Sequence, residues 1–204
     1  GLSHLHAKGL AHGALHPRNV LFDATMTVKL TDYGRSEAML ARQLEDEKPA
    51  LREPHPASAG PAAPEPRQHY LSPEQLQLKA FGAQCDVWSF GCLIARVGSL
   101  RPLYAPWAIG DDGIAVSSHA ILMRVASGDL SPADQLGAMT GLKHKAALLT
   151  LVRECTRRNP AARLTSAQAA ARLDAILNPQ TPGGAPGSAT SGSATPGAPG
   201  SATP

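Results

Sequence analysis

Residues His12 to Gly34, HGALHPRNVLFDATMTVKLTDYG, hold an amide and a carboxylate whose spacing suits chemistry on a metal-bound phosphate. Asn19 leads into the apolar triplet Val20-Leu21-Phe22, and Val28-Lys29-Leu30-Thr31 runs into Asp32-Tyr33-Gly34. With a turn at Asp23-Ala24-Thr25, the two apolar stretches read as a hairpin. Antiparallel strands return the chain to its start, so Asn19 and Asp32 meet at one end. An amide oxygen beside a carboxylate is a hard-oxygen site suited to Mg²⁺ with phosphate. His16, a few residues before Asn19, carries an imidazole that could donate to a phosphate or, less readily, act as a displaced base. A lone histidine is more often structural.

These groups need a scaffold. Gly1 to Lys8 carries Leu2, Leu5 and His6 near helical spacing, with Gly9 as the stop. Residues 35–69 form a long connection in which Ala38 to Leu44 suits a short helix. From Pro49 to Pro66 the run PALREPHPASAGPAAPEP predicts a mobile stretch that packs no core and sustains no ladder. As a function it reads as a phospho-regulated or Pro-rich docking loop; as plain structure, it is a tolerated surface insertion. Asp86-Val87-Trp88-Ser89-Phe90-Gly91 opens a helix that is apolar on most faces through Cys92, Leu93, Ile94 and Val97, which places it at the centre of a helical assembly. Arg101 to Gly113 reads as loop. Ala120 to Val125 suits a short helix ending by Gly128, and Leu142 to Thr156 another. Thr165-Ser166-Ala167-Gln168 fits a capping box that opens a last helix, with Ala169, Leu173 and Ile176 on one side and an end near Leu177. Residues 178–204 repeat a GSATP unit with no apolar side chain larger than Ala, the composition of a disordered tail.

The 204 residues suffice for one domain with a sizeable core. The net charge of +3 is dispersed, and Arg157-Arg158 is the one short basic pair, which argues against a nucleic-acid surface. Cys85, Cys92 and Cys155 lack metal-ligand spacing and read as buried thiols of a reducing compartment. No apolar run approaches the roughly 18 residues of a membrane span, and no signal peptide is evident. The sequence opens at Gly1 inside an apparent helix, which reads as a fragment of a longer chain.

Together these motifs resemble the protein kinases. His12-Gly13-Ala14-Leu15 with Asn19, followed by Asp32-Tyr33-Gly34, is similar to the catalytic loop H-R-D-L-x-x-x-N and the D-F-G motif. Tyr70-Leu71-Ser72-Pro73-Glu74 resembles the A-P-E end of the activation segment, and the Asp86 helix resembles the D-V-W-S-x-G helix of the C-lobe. The resemblance covers residues 1–177. It implies a protein kinase-like α+β fold, here a mainly α-helical C-lobe with a small β-hairpin at the active cleft. The N-lobe lies outside this sequence, and with it the Gly-rich loop, the strand Lys and the helix Glu; the fragment alone is therefore expected to phosphorylate nothing. Residues 35–69 take the place of the activation segment. The resemblance also assigns roles: Asn19 and Asp32 as metal ligands, with Leu21, Leu93 and Val97 under the adenine of ATP. His12 and Tyr33 join the stack that links the lobes, Glu74 pairs with Arg163, and Asp86 accepts hydrogen bonds from the catalytic-loop backbone.

The departures decide the function. Ala14 stands where the family has its catalytic Asp, so no catalytic residue is intact, and His16 replaces a common Lys. Gly13 replaces the Arg that receives an activation-segment phosphate, and Arg67 stands where many Ser/Thr kinases have Thr. The resemblance therefore implies a pseudokinase, a regulatory or scaffolding module in signalling that keeps at most an ATP and Mg²⁺ contact. The pairing of HGxLxxxN with TDYG also resembles the kinase-homology domain of receptor guanylyl cyclases and the kinase-like domain of plant receptor kinases. The alternative is an active or weakly active Ser/Thr or Tyr kinase using His16 or water as base. Protein partners or protein substrates follow from either reading. So does a cytoplasmic location, alone or as the cytoplasmic part of a receptor.

Overall fold

The computed structural model describes residues 1–55 and 65–179. Helix α1 (Leu2–Ala7) precedes a loop and a hairpin of β1 (Val20–Phe22) and β2 (Val28–Leu30). The remaining helices are α2 (Glu37–Leu51), α3 (Pro73–Leu76), α4 (Ala83–Ser99), α5 (Ser118–Ser127), α6 (Pro132–Gly137), α7 (Lys145–Cys155) and α8 (Ser166–Leu177).

Helix α4 is the axle. One side, with Trp88, Cys92 and Ala95, packs against Tyr70, Leu103, Tyr104, Ile121 and Val125. The other presents Val87, Phe90 and Ile94 to Leu151, Cys155 and Ala169 of α7 and α8. Apolar residues on both sides of one helix force neighbours onto both sides, which is why α4 ends up central. Cys85, Cys92 and Cys155 are buried free thiols, and burial pushes Cys155 up to about 12. The Thr165 capping box forms, with Gln168 Oε1 accepting from the Thr165 N–H at 2.8 Å.

One part of the sequence reading needs correction, and one helix lies outside it. The segment after Gly34 is not a short helix followed by loose chain. It is the 15-residue α2, capped by Ser36, whose hydroxyl accepts from the Met39 N–H. Pro49 sits in its last turn, where the missing N–H removes a single ladder bond. The chain beyond α2 does pack. Leu51 is buried, His55 N–H donates to Val116 O at 2.7 Å, and the His55 ring stacks on His69 with centroids 4.7 Å apart. The rest of the Pro-rich run, 56–64, and the repeat tail from residue 180 lie outside the described residues. The helix the sequence reading did not name is α6. A Ser131–Asp134 capping box starts it, and Leu136 and Gln135 are fully buried. Gln135 Nε2 donates to Ser99 Oγ at 2.6 Å and to Pro102 O at 3.1 Å, and its Oε1 accepts from Tyr104 N–H. A single amide thereby satisfies the backbone of the turn after α4.

Candidate functional site

Asp86 lies in the first turn of α4 and is fully buried. A carboxylate in that position is costly unless its oxygens are satisfied. Here Oδ2 accepts from His12 N–H at 2.7 Å and lies 2.8 Å from His6 Nε2, while Oδ1 accepts from Gly13 N–H at 2.8 Å. His6 Nδ1 in turn meets Ser166 Oγ at 2.8 Å, so α1, α4 and α8 converge on the loop.

Gly13 adopts φ +74, in the left-handed region. A Cβ built there would lie 3.0 Å from Arg35 O and 3.2 Å from Arg35 Cβ. Arg35 therefore fills the space a side chain at position 13 would need. The loop's carbonyls are used as well: Gly13 O accepts from Gln75 Nε2 at 3.0 Å, and His12 O accepts from Gly34 N–H at 3.1 Å. The turn at Asp32–Gly34 is thus pinned to the loop at His12 through backbone.

Strand register pairs Val20 with Leu30, and Thr31 N–H donates to Asn19 O at 3.1 Å. Asn19 and Asp32 therefore sit one step apart at one end of the hairpin. Asn19 is buried, and its Nδ2 donates to Ala14 O at 2.9 Å, which leaves Oδ1 as the atom able to face a cation. Asp32 is exposed, with φ +55. The hairpin turn is longer than the sequence reading had it. Asp23 Oδ1 accepts from Thr25 N–H and Thr27 N–H, closing a turn that extends to Thr27.

Ala14 is buried, and nothing on its side chain can take a proton. His16 is 4% exposed, and its Nδ1 accepts from Arg18 N–H at 3.2 Å. That bond places the ring proton on Nε2, which has no partner. Burial, then Arg67, Arg35 and Arg18, push the imidazole down to about 4. Beside Ala14 lies a small cavity of about 10 Å³, walled by Ala14, His16, Arg35, Arg67, Gln68 and Leu40 of α2. Leu40 is 1% exposed.

Three residues given roles by the resemblance lie exposed here. Tyr33 is 57% exposed, beside the left-handed backbone at Asp32 and Gly34, whereas His12 is fully buried. Leu21 is 48% exposed, and its strand neighbours Val20 and Phe22 line a cleft with Leu93 and Val97. Val97 is itself exposed.

Away from the loop, Arg163 grips Glu74 in a bidentate pair, at 2.6 Å to Oε1 and 2.8 Å to Oε2. Burial pushes the Glu74 carboxyl up, but the guanidinium outweighs it and holds the group below its ordinary value. Sequence reasoning missed His6, Arg35, Leu40, Gln68 and Gln75. Only Arg35 carried a signal, as a cation next to the turn that follows a vacated Arg position.

A family model described as protein kinase domain matches residues 1–173. The chain is 33% identical over 101 residues to the serine/threonine-protein kinase PKH2 of Candida albicans, covering 50% of this chain and 10% of that protein. It is 34% identical over 98 residues to the 3-phosphoinositide-dependent protein kinase B of Dictyostelium discoideum, covering 48% and 10%. To the mitogen-activated protein kinase kinase kinase 20 of Arabidopsis thaliana it is 29% identical over 132 residues, covering 65% and 33%. The chain thus spans a third or less of each of these relatives.

Proposed function

The chain belongs to the protein kinase family, and on that premise we propose that it is a pseudokinase, a regulatory or scaffolding module in signalling. Residues 1–177 form the helical lobe of such a domain in this reading. The observation that carries it is Ala14, a methyl group at the point of the loop where the family's proton acceptor stands. Losing a positioned base typically costs about 10²–10⁴-fold. His16 is poorly suited to replace it. Its accepting nitrogen is taken by Arg18 N–H, and burial, followed by three arginines, disfavours the imidazolium that base catalysis would form.

The family generally works with ATP and Mg²⁺, and the residues present fit that group in part. Asn19 Oδ1 and the Asp32 carboxylate are hard-oxygen donors and would hold the ion. When bound, Mg²⁺ would neutralise phosphate charge. The chain's own contribution is to orient Asn19 through Ala14 O and to fix the Asp32 turn on His12 O.

The rival reading is an active or weakly active kinase, and it draws on the relatives, each of which is named as a kinase. Transfer of γ-phosphate to a generic substrate by the full-length protein separates the two. We expect no incorporation above background. Incorporation that disappears in Asp32→Asn would overturn the pseudokinase reading. No helix among the described residues is long and apolar enough to cross a membrane.

A further inference from the structure

Residues that line the cavity beside Ala14 carry unpartnered donors. His16 Nε2, Arg35 Nε and Gln68 Nε2 are all buried atoms without a hydrogen-bond partner. His16 and Gln68 are 4% and 2% exposed, so neither side chain faces bulk solvent. Such orphans are rare and call for an occupant. Its sign follows from chemistry. The His16 tautomer fixed by Arg18 makes Nε2 a donor, the Arg35 guanidinium only donates, and so does the Gln68 NH₂. Arg67 lines the same cavity. Among the described residues no carboxylate forms an ion pair with Arg35 or Arg67. Glu47 and Asp32 are the acidic groups acting on Arg35, and burial and Arg67 both outweigh them.

We propose that His16, Arg35, Arg67 and Gln68 form an oxyanion site for a phosphate group at the position vacated by the missing carboxylate of residue 14. The cavity's free volume of about 10 Å³ admits one oxygen atom. The remainder of the anion sits at the mouth, where the exposed Arg67 side chain closes on it. Two guanidinium groups and an imidazole N–H around one anion give charge-assisted bonds in a partly desolvated setting, where they are strongest. An aspartate at position 14 would occupy this space and cancel the field, so the substitution that removes a proton acceptor also creates an anion receiver. The inference goes beyond the pseudokinase reading and needs no bound nucleotide or metal ion.

The test is calorimetric titration of the full-length protein with inorganic phosphate, with O-phosphoserine and with acetate, in a chelator that removes Mg²⁺. Saturable phosphate binding, weakened about tenfold or more by Arg35→Gln and by Arg67→Gln, is the expected result. Lys79→Gln, an exposed cation elsewhere, should leave it unchanged. Tighter binding of O-phosphoserine than of inorganic phosphate assigns the site to a side-chain-borne phosphate; the reverse order assigns it to the free ion. In the unsubstituted protein, phosphate should shift the NMR resonances of Arg35 Nε–H and the His16 ring, which keeps the test valid if a variant misfolds. No saturable phosphate binding, equal binding by acetate, or affinity unchanged in both arginine variants overturns the proposal.

Discussion

Glu74 and Arg163 stand 89 positions apart, and both are nearly inaccessible to water. Each is satisfied by the other, and Arg163 also donates to Arg157 O and Gln84 O while lying 5.2 Å from the Trp88 ring centroid. Truncating one partner strands the other charge, so Arg163→Met should destabilise the fold by about 3–5 kcal/mol in urea denaturation. Arg163→Lys should recover little, because an ammonium cannot supply the fork. Since Glu74 is held below its ordinary value when folded, its contribution is present at neutral pH and is lost as pH falls through that lowered value. Gly13 raises the opposite question, of what happens when the family's Arg is put back. At φ +74 an L-residue costs roughly 1–2 kcal/mol, and its Cβ must displace Arg35. Gly13→Arg should therefore lower stability by more than about 1 kcal/mol and raise hydrogen exchange at Gly34 and Arg35. An unchanged denaturation midpoint would show that the loop relaxes freely.

At the scale of elements, α4 and α7 touch at Gly91. A Cβ there would lie 2.7 Å from Thr156 Cγ2 and 3.0 Å from Cys155 Cβ. Alanine in a helix interior gains up to about 1 kcal/mol over glycine, whereas overpacking a tight contact costs about 1–3 kcal/mol. The overpacking wins, so Gly91→Ala should destabilise; a rise in melting temperature would show that the two helices part easily. The elements also differ in how legible they were. Helix α4 could be read because its apolar residues run around most of its surface, and α8 because its cap and its apolar stripe agree. Helix α2 was cut short because Pro49 and a charged run mask it; only Leu40 and Leu51 are buried, too few to set a period. Helix α6 escaped because its six residues are shorter than any periodic signal. The loop motifs gave the identities of Asn19, Asp32, Glu74, Asp86 and Arg163. The Arg35–Gln68 cluster was hidden, because its members meet only after α2 folds back across the loop.

For the whole molecule, two buried histidines set a common vulnerability. His16 accepts from Arg18 N–H within its own loop, and His55 donates its Nε2–H to Leu103 O at 2.7 Å, holding the chain after α2 against the core. Burial, followed by the neighbouring His69, pushes His55 down to about 4; burial and the arginines do the same to His16. Glu65 works the other way on His55, but more weakly. The sign follows from proton counting. Between an unfolded value near 6.5 and a folded value near 4, the unfolded chain binds protons that the folded one refuses. Stability is therefore full above about pH 6.5, falls as pH drops towards 4, and levels off below. Each histidine contributes up to about 1.4 kcal/mol per pH unit across that window, roughly 3 kcal/mol in all. Two such groups together rival the 5–15 kcal/mol that stabilises a typical domain. Urea midpoints at pH 7.5, 6 and 5 should fall steeply, and His55→Asn should remove about half of the slope while lowering the plateau at pH 7.5. A slope that is the same in His55→Asn would place the acid sensitivity elsewhere, with the carboxylates of Glu74 and Glu65 the next groups to test.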